Sequence, residues 1–395
     1  MSTTEQAPPE RSVPKPEFTD AEAGAKDFPG SAAESRVFEY FTPKKRRRTH
    51  YEDVTVDVQP DPMHYLAQGW GYAFSDGSAG YPTQWTALKA WGEDKPLPER
   101  YPGSGAAGYP WPASGWHEYR DPNGEWEQTI YEYNSDVVTQ LSRNIDTARQ
   151  TKAFAQWNPN WVRFVQNHVG AWMHVEHGLG TYVFCQAQRA APTNMHNTVL
   201  AVNGTHKIRI AQDLALYNLS MTEELEGFDG KAHIETWKSD PVWQGVRETV
   251  ERLTSLEDWA EANFATNVVF EPLLGELFRS RLVMHAAPAN GDFITATVMG
   301  SGEYDYAQRD LRAARAMFEL LSNDSEFGET NKATMQQWLS TWVDQCLTAA
   351  RTLQPLWSQP DAKPGRFEDC LDQSKDRFID LLKDLDLQPP EELRK

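Results

Sequence analysis

Apolar residues recur at steps of three and four along most of this chain, the spacing that lays a buried stripe down an α-helix. Trp161, Val165, His168, Trp172, Glu176, Leu179, Val183 and Ala187 form one stripe, and Val199, Asn203, His206, Ile210, Leu214 and Tyr217 form a second. Ala191-Pro192-Thr193 separates the two. Asn158-Pro159 supplies a cap and a first-turn proline for the first of them. Upstream, Asp121-Pro-Asn-Gly-Glu125 opens a helix that runs to about Lys152. Downstream, Trp259, Ala262, Thr266, Phe270, Leu273, Leu277 and Met284 predict a third core helix from about Leu256 to His285. After Ala289-Asn-Gly-Asp292, a glycine stop and an aspartate cap, the stripe Ile294, Val298, Tyr304, Ala307, Leu311, Ala314, Phe318 and Leu321 predicts a fourth. A helix of about thirty residues is about 45 Å long, so only a long connection lets the second pair run alongside the first. The stretch after Tyr217, with a short helix starting at Asp240-Pro241, has that length. Met335, Trp338, Trp342, Cys346 and Leu353 mark one closing helix, and Phe367, Leu371, Phe378, Leu381 and Leu385 another. The expectation is an all-α chain, with a helical bundle over 121–325 and closing helices over 326–395 packed on it.

The N-terminal third reads differently. Residues 1–35 are polar and proline-punctuated, a flexible or extended arm. Residues 36–120 hold two alternating, β-branched runs, a basic run from Lys44 to Arg48, and then rings such as Trp70, Trp85 and Trp111 among Gly and Pro. So many rings are costly to leave in water, and Gly and Pro forbid long helices. They are expected to pack on a surface built by the rest of the chain or by another subunit. Arg46, Arg47, Arg48, Tyr51, Trp70 and Trp85 are the candidate subunit contacts, the arginines pairing carboxylates within the protein or on a partner. The stretch Gly92 to Gly115 reads as an inserted loop.

Composition narrows the class. The 395 residues carry 39% hydrophobic and 12% aromatic residues, so the chain as a whole is not disordered. A net charge of -19 argues against nucleic acid as the principal ligand, and a nucleic-acid patch at Lys44 to Arg48 is the weakest reading. Cys185, Cys346 and Cys370 are far apart on predicted helices and read as reduced core thiols. With no secretory signal and no long apolar run, a cytoplasmic protein with no membrane span is expected.

A di-iron bundle needs a Glu from each of two helices and a Glu-x-x-His pair from each of the other two. No Glu-x-x-His occurs in the sequence. His206-x-x-Arg209 puts a fixed cation where a ligand pair belongs, and His174-x-x-His177 lies off the Trp172 stripe. Glu176, the one carboxylate on its stripe, can pair with Arg209 across the hairpin. Glu176, His206 and Arg209 are thus the expected ion-pair network of a vestigial site. A metalloenzyme with an atypical site at Glu176, His168 and His206 is the competing reading. Glu303 and Asp305 have Arg309 and Arg312 within helical reach, and Gly300-Ser-Gly302 suggests a close helix contact or a bulge.

Three runs are more specific than any periodicity. Arg46-Arg-Arg-Thr-His-Tyr-Glu-Asp-Val-Thr55 with Gln59-Pro-Asp-Pro62 and Gln68-Gly-Trp70, then Asp121-Pro-Asn-Gly-Glu-Trp-Glu-Gln-Thr-Ile-Tyr131, then Gly302-Glu-Tyr-Asp-Tyr-Ala-Gln-Arg309, resemble signatures of the small, or β, hydroxylase subunit of soluble di-iron monooxygenases. The similarity spans about Arg36 to Leu385. It implies a ferritin-like helical bundle that lacks the di-iron site and packs on a catalytic α subunit that holds the irons. No residue of this chain is then catalytic, cofactor-binding or metal-ligating. The resemblance further implies an (αβ)2 assembly, a small coupling protein, and a reductase with FAD and an iron-sulfur cluster that takes electrons from NADH. The arm from Pro14 to Gly24 and the run from Val54 to Pro62 look most like propane monooxygenases of actinobacteria, which implies oxidation of propane to 2-propanol. Other alkanes, alkenes or aromatics are the alternative substrates.

Overall fold

The computed structural model describes residues 51, 55, 119–191, 194–256, 258–323 and 328–394. Arg46, Arg47, Arg48, Trp70 and Trp85, and the segments 1–35 and 92–115, lie outside them. Among the described residues every regular element is a helix.

Helix α1 is Glu127–Thr151, and it starts later than the sequence suggests. Residues 121–125 are a turn instead, closed by Gly124 N–H to the Asp121 carbonyl at 3.0 Å, with Gly124 at φ 63. Trp126 and Thr129 then cap the helix reciprocally. Helix α2 covers residues 159–190 and starts where Asn158 Oδ1 accepts from Asn160 N–H at 2.8 Å. Every residue of its predicted stripe is buried. Helix α3, Asn194–Glu224, buries the whole of its stripe as well. The long connection holds two helices, α4 (Ala232–Ser239) and α5 (Pro241–Thr254), the second capped by Asp240.

Helix α6 covers residues 259–289 and α7 residues 294–322, each opened by an aspartate. Asp258 accepts from Ala260 N–H, and Asp292 from the N–H groups of Ile294 and Thr295 at 2.9 Å. Gly291 between them has φ 86, and a Cβ there would meet the Gln156 carbonyl oxygen at 2.7 Å. Asp292 also accepts from Trp161 Nε1 at 2.7 Å, which ties the start of α7 to the first turn of α2.

The pairs α2/α3 and α6/α7 make the four-helix core. The closing helices α8 (Gly328–Thr352) and α9 (Phe367–Asp384) both lie along α6. All residues of Phe264–Gly275 in α6 are therefore buried, where the stripe predicted a single buried face. One apolar cluster runs through the bundle and the closing helices.

Three sequence expectations are corrected. Cys185 is exposed, while Cys346 and Cys370 are buried thiols. Tyr304 is 52% exposed and Tyr306 is 2% exposed in its place. Tyr304 stands six residues after Val298, a step that turns about 120° off the buried face of a regular helix, and the wider π-type turns begin only at Asp305. Glu176 does not pair with Arg209. Gly302, by contrast, sits at the predicted close contact, its missing Cβ making room for Ile210 of α3.

Candidate functional site

Charge is buried at the centre of the four core helices in two adjoining groups. The first is built on carboxylates from three helices: Glu176 of α2, Glu271 of α6 and Glu303 of α7. Two cations hold them, Lys207 of α3 and Arg279 of α6. Arg279 donates from NH2 to Glu271 Oε2 at 2.6 Å, from NH1 to Glu176 Oε1 at 3.1 Å and from Nε to Glu303 Oε2 at 3.1 Å. Lys207 Nζ bonds Glu271 Oε1 and lies 3.6 Å from Glu176 Oε2. Trp172 Nε1 donates to Glu176 Oε1 at 2.7 Å. The Tyr306 ring faces both cations, at 5.9 Å from Lys207 and 5.8 Å from Arg279. Side chains of Glu176, Glu271 and Arg279 have no exposed surface.

Burying so many charges is costly unless each is paired and hydrogen-bonded. Burial alone would raise the Glu271 carboxyl, yet Arg279 and Lys207 outweigh it and hold the group below its ordinary value. Burial likewise opposes charge on Lys207, and the carboxylates of Glu176 and Glu271 raise it above its usual range. Glu303, nearer the rim, is pushed up by burial despite Arg279. Gly275 makes the packing possible, because a Cβ there would lie 2.1 Å from Glu271 Oε2 and 3.0 Å from the Arg279 guanidinium.

The second group joins α1, α3 and α7. His206 Nδ1 lies 2.6 Å from Asp310 Oδ1, and its Nε2 is 3.9 Å from Glu125 Oε2. Arg209 bonds Asp305 at 2.6 Å and also Asp213. Arg309 bonds Asp305 at 2.9 Å and Glu125 Oε1 at 2.6 Å, and stacks on the Tyr133 ring at 3.8 Å. Burial raises the Asp213 carboxyl to about 6, the Arg209 charge offsetting only part of the effect. The 121–125 turn is anchored here. Asn123 Nδ2 donates to the Arg309 carbonyl at 3.0 Å, and Tyr51, 6% exposed, accepts from Asp121 N–H at 2.9 Å.

Glu176, His206 and Arg209 are all buried, but they are not one set. Glu176 belongs to the first group, and His206 and Arg209 to the second. Glu303 meets Arg279 and not Arg309, whereas Asp305 meets Arg309 as its spacing suggested. His168 takes no part in either group: its Nδ1 accepts from Trp243 Nε1 at 3.0 Å, and burial lowers it to about 4. His174 pairs with His233 at 3.0 Å on the α4 side. Lys207, Glu271 and Arg279 were not singled out. The signal was present in Glu271, an ionisable residue inside the apolar run Val268 to Leu274, which demands a buried partner.

The donor set can be tested against a pair of iron ions. Such a site needs carboxylate lone pairs free to face the metals and two imidazoles. Here the three carboxylates are committed to fixed cations, and Tyr306 stands three residues beyond Glu303 where an imidazole would be required. His206, on the buried stripe of α3, is turned to Asp310 and Glu125. The residues present do not suit a di-iron centre. Among the described residues no group of three or more His, Cys, Asp and Glu is arranged to hold a metal, and no helix is long and apolar enough to cross a membrane. A surface hollow between α1 and α3, lined by Val138, Leu141, Ile145, Leu216 and Tyr217, shares only Asp213 with the charge groups.

Comparison with known proteins fits this architecture. The chain is 51% identical to the propane 2-monooxygenase hydroxylase component small subunit of Rhodococcus jostii (strain RHA1), over 97% of each chain. It is 50% identical over the whole of both chains to the protein of the same name from Mycolicibacterium smegmatis. A chain in the structure of toluene 4-monooxygenase with toluene bound in its resting active site superposes with a TM-score of 0.61 at 19% identity, covering 80% of this chain and 94% of that one, a likeness of fold. Residues 100–325 match the family model described as methane/phenol/alkene hydroxylase. On the strength of that match and of full-length relatives at about half identity, the chain belongs to the methane/phenol/alkene hydroxylase family.

Proposed function

We propose that this chain is the non-catalytic small subunit of the hydroxylase component of a propane-oxidising monooxygenase. Its bundle supports a large subunit that carries the di-iron centre, and the iron supplies the O2-dependent chemistry there. The observation that carries this reading is Lys207 and Arg279, two fixed cations among the central carboxylates, in a bundle whose relatives are named hydroxylase small subunits. The reading extends to an (αβ)2 assembly in the cytoplasm, a coupling protein, a reductase with FAD and an iron-sulfur cluster drawing on NADH, and propane to 2-propanol as the reaction. Arg46, Arg47, Arg48, Trp70 and Trp85 are proposed to contribute to the large-subunit contact, whereas Tyr51 is buried against this chain's own Asp121.

The role of this chain's residues is then positional. The two charge groups lock α2, α3, α6 and α7 in one register and pin the 121–125 turn against α7, giving the partner a rigid face. The test is purification of this chain alone and together with a large hydroxylase subunit from the same host. The chain alone is expected to hold no stoichiometric iron and to oxidise no propane. The pair is expected to co-purify with iron and, with its reductase and coupling protein, to convert propane to 2-propanol. About two irons per isolated chain, or no association with the large subunit, would overturn the proposal.

A further inference from the structure

The mismatch between this donor set and a di-iron centre is a specific one. Each of two central carboxylates has one oxygen tied by neighbours and one oxygen aimed at Lys207. Glu176 Oε1 is held by Trp172 Nε1 at 2.7 Å and Arg279 NH1 at 3.1 Å, while Glu176 Oε2 is buried and accepts no hydrogen bond. Glu271 Oε2 is held by Arg279 NH2 at 2.6 Å, while Oε1 meets only the Lys207 ammonium. The two remaining oxygens converge on Nζ from helices α2 and α6. Arg279 and Glu303 offset one another, which leaves two negative charges facing that point.

We infer that Lys207 Nζ occupies a divalent-cation position, and that Glu176 and Glu271 form a latent site for one hard divalent ion masked by that ammonium. Two carboxylates with water completing the shell are the ligand set that Mn(II) or Co(II) accepts. Outer partners that orient each ligand, here Trp172 and Arg279, are what hold such sites in shape. Truncating Lys207 at Cβ opens space for the ion and its waters without touching the ligands or their supports. The inference rests on this geometry alone and is independent of the assembly proposed above.

The test uses the full-length chain carrying Lys207→Ala, stripped with a chelator and titrated with Co(II). One equivalent is expected to be retained in equilibrium dialysis, and the melting temperature is expected to climb with Co(II) concentration. The natural chain is expected to show neither effect. Adding Glu271→Gln to Lys207→Ala is expected to abolish both, which separates this site from Co(II) held at the His174/His233 pair. A folded Lys207→Ala chain that retains no Co(II) in dialysis overturns the inference, as does binding that survives Glu271→Gln. If Lys207→Ala is insoluble, recovery of folded chain by refolding with Co(II) supports the site, and failure to recover it counts against.

Discussion

At the scale of single residues, Arg279 carries the most consequence, since its three donors serve three carboxylates from α2, α6 and α7. Arg279→Met leaves those carboxylates buried without their partner and is expected to cost about 3–5 kcal/mol, read by urea unfolding. Arg279→Lys is expected to recover little of this, because an ammonium lacks the planar fork. Gly275→Ala places a methyl group on the Glu271–Arg279 pair and is expected to cost about 1–3 kcal/mol by the same measurement. His168 gives a pH signature. Its folded value, about 4, lies below the ordinary 6.5, so the neutral ring is favoured in the fold. That stability is complete above pH 6.5 and is lost as pH falls from 6.5 towards 4. Asp213, held at about 6, titrates in the same range with the opposite sign. The check is therefore the difference between the natural chain and His168→Gln: thermal unfolding should show their gap shrinking on acidification across that window.

At the scale of elements, three helix starts were legible because they are written in local chemistry: Asn158, Asp240 and Asp292 each cap through the side chain. Asp292 does more, since it also accepts from Trp161 Nε1 and from the Thr295 hydroxyl. Asp292→Ala is expected to cost roughly 2–4 kcal/mol by thermal unfolding, a lost cap plus buried donors left unmade. The stripes of α2 and α3 were legible for the same reason, one buried face at regular spacing. Tyr304 was misplaced because it stands six residues after Val298, a step that turns about 120° off the buried face of a regular helix. The charge partners were half legible: Asp305 with Arg309 follows from a step of four within one helix. Glu176 with Arg279 and Lys207, or Glu303 with Arg279, joins residues on different helices, where helical periodicity says nothing about register. The turn at 121–125 and the run 302–309 resemble family signatures in sequence, and in space they meet, through Glu125, Asp305 and Arg309.

At the scale of the whole molecule, deletion of residues 1–60 is expected to weaken association with the large subunit more than it lowers the melting temperature of this chain alone. Equal losses in pull-down and in thermal unfolding would assign that segment to the chain's own core. The burial of α6 on every side has a different consequence, one that concerns synthesis. On the ribosome, the apolar run Phe264–Gly275 emerges well before the helices that sheathe it, so for part of translation a hydrophobic rod has no cover. A chain ending at residue 325 makes that interval permanent. It is expected to partition into aggregates and to bind holdase chaperones, whereas the full chain is recovered in the supernatant, because the last seventy or so codons write the jacket of the molecule's innermost strut.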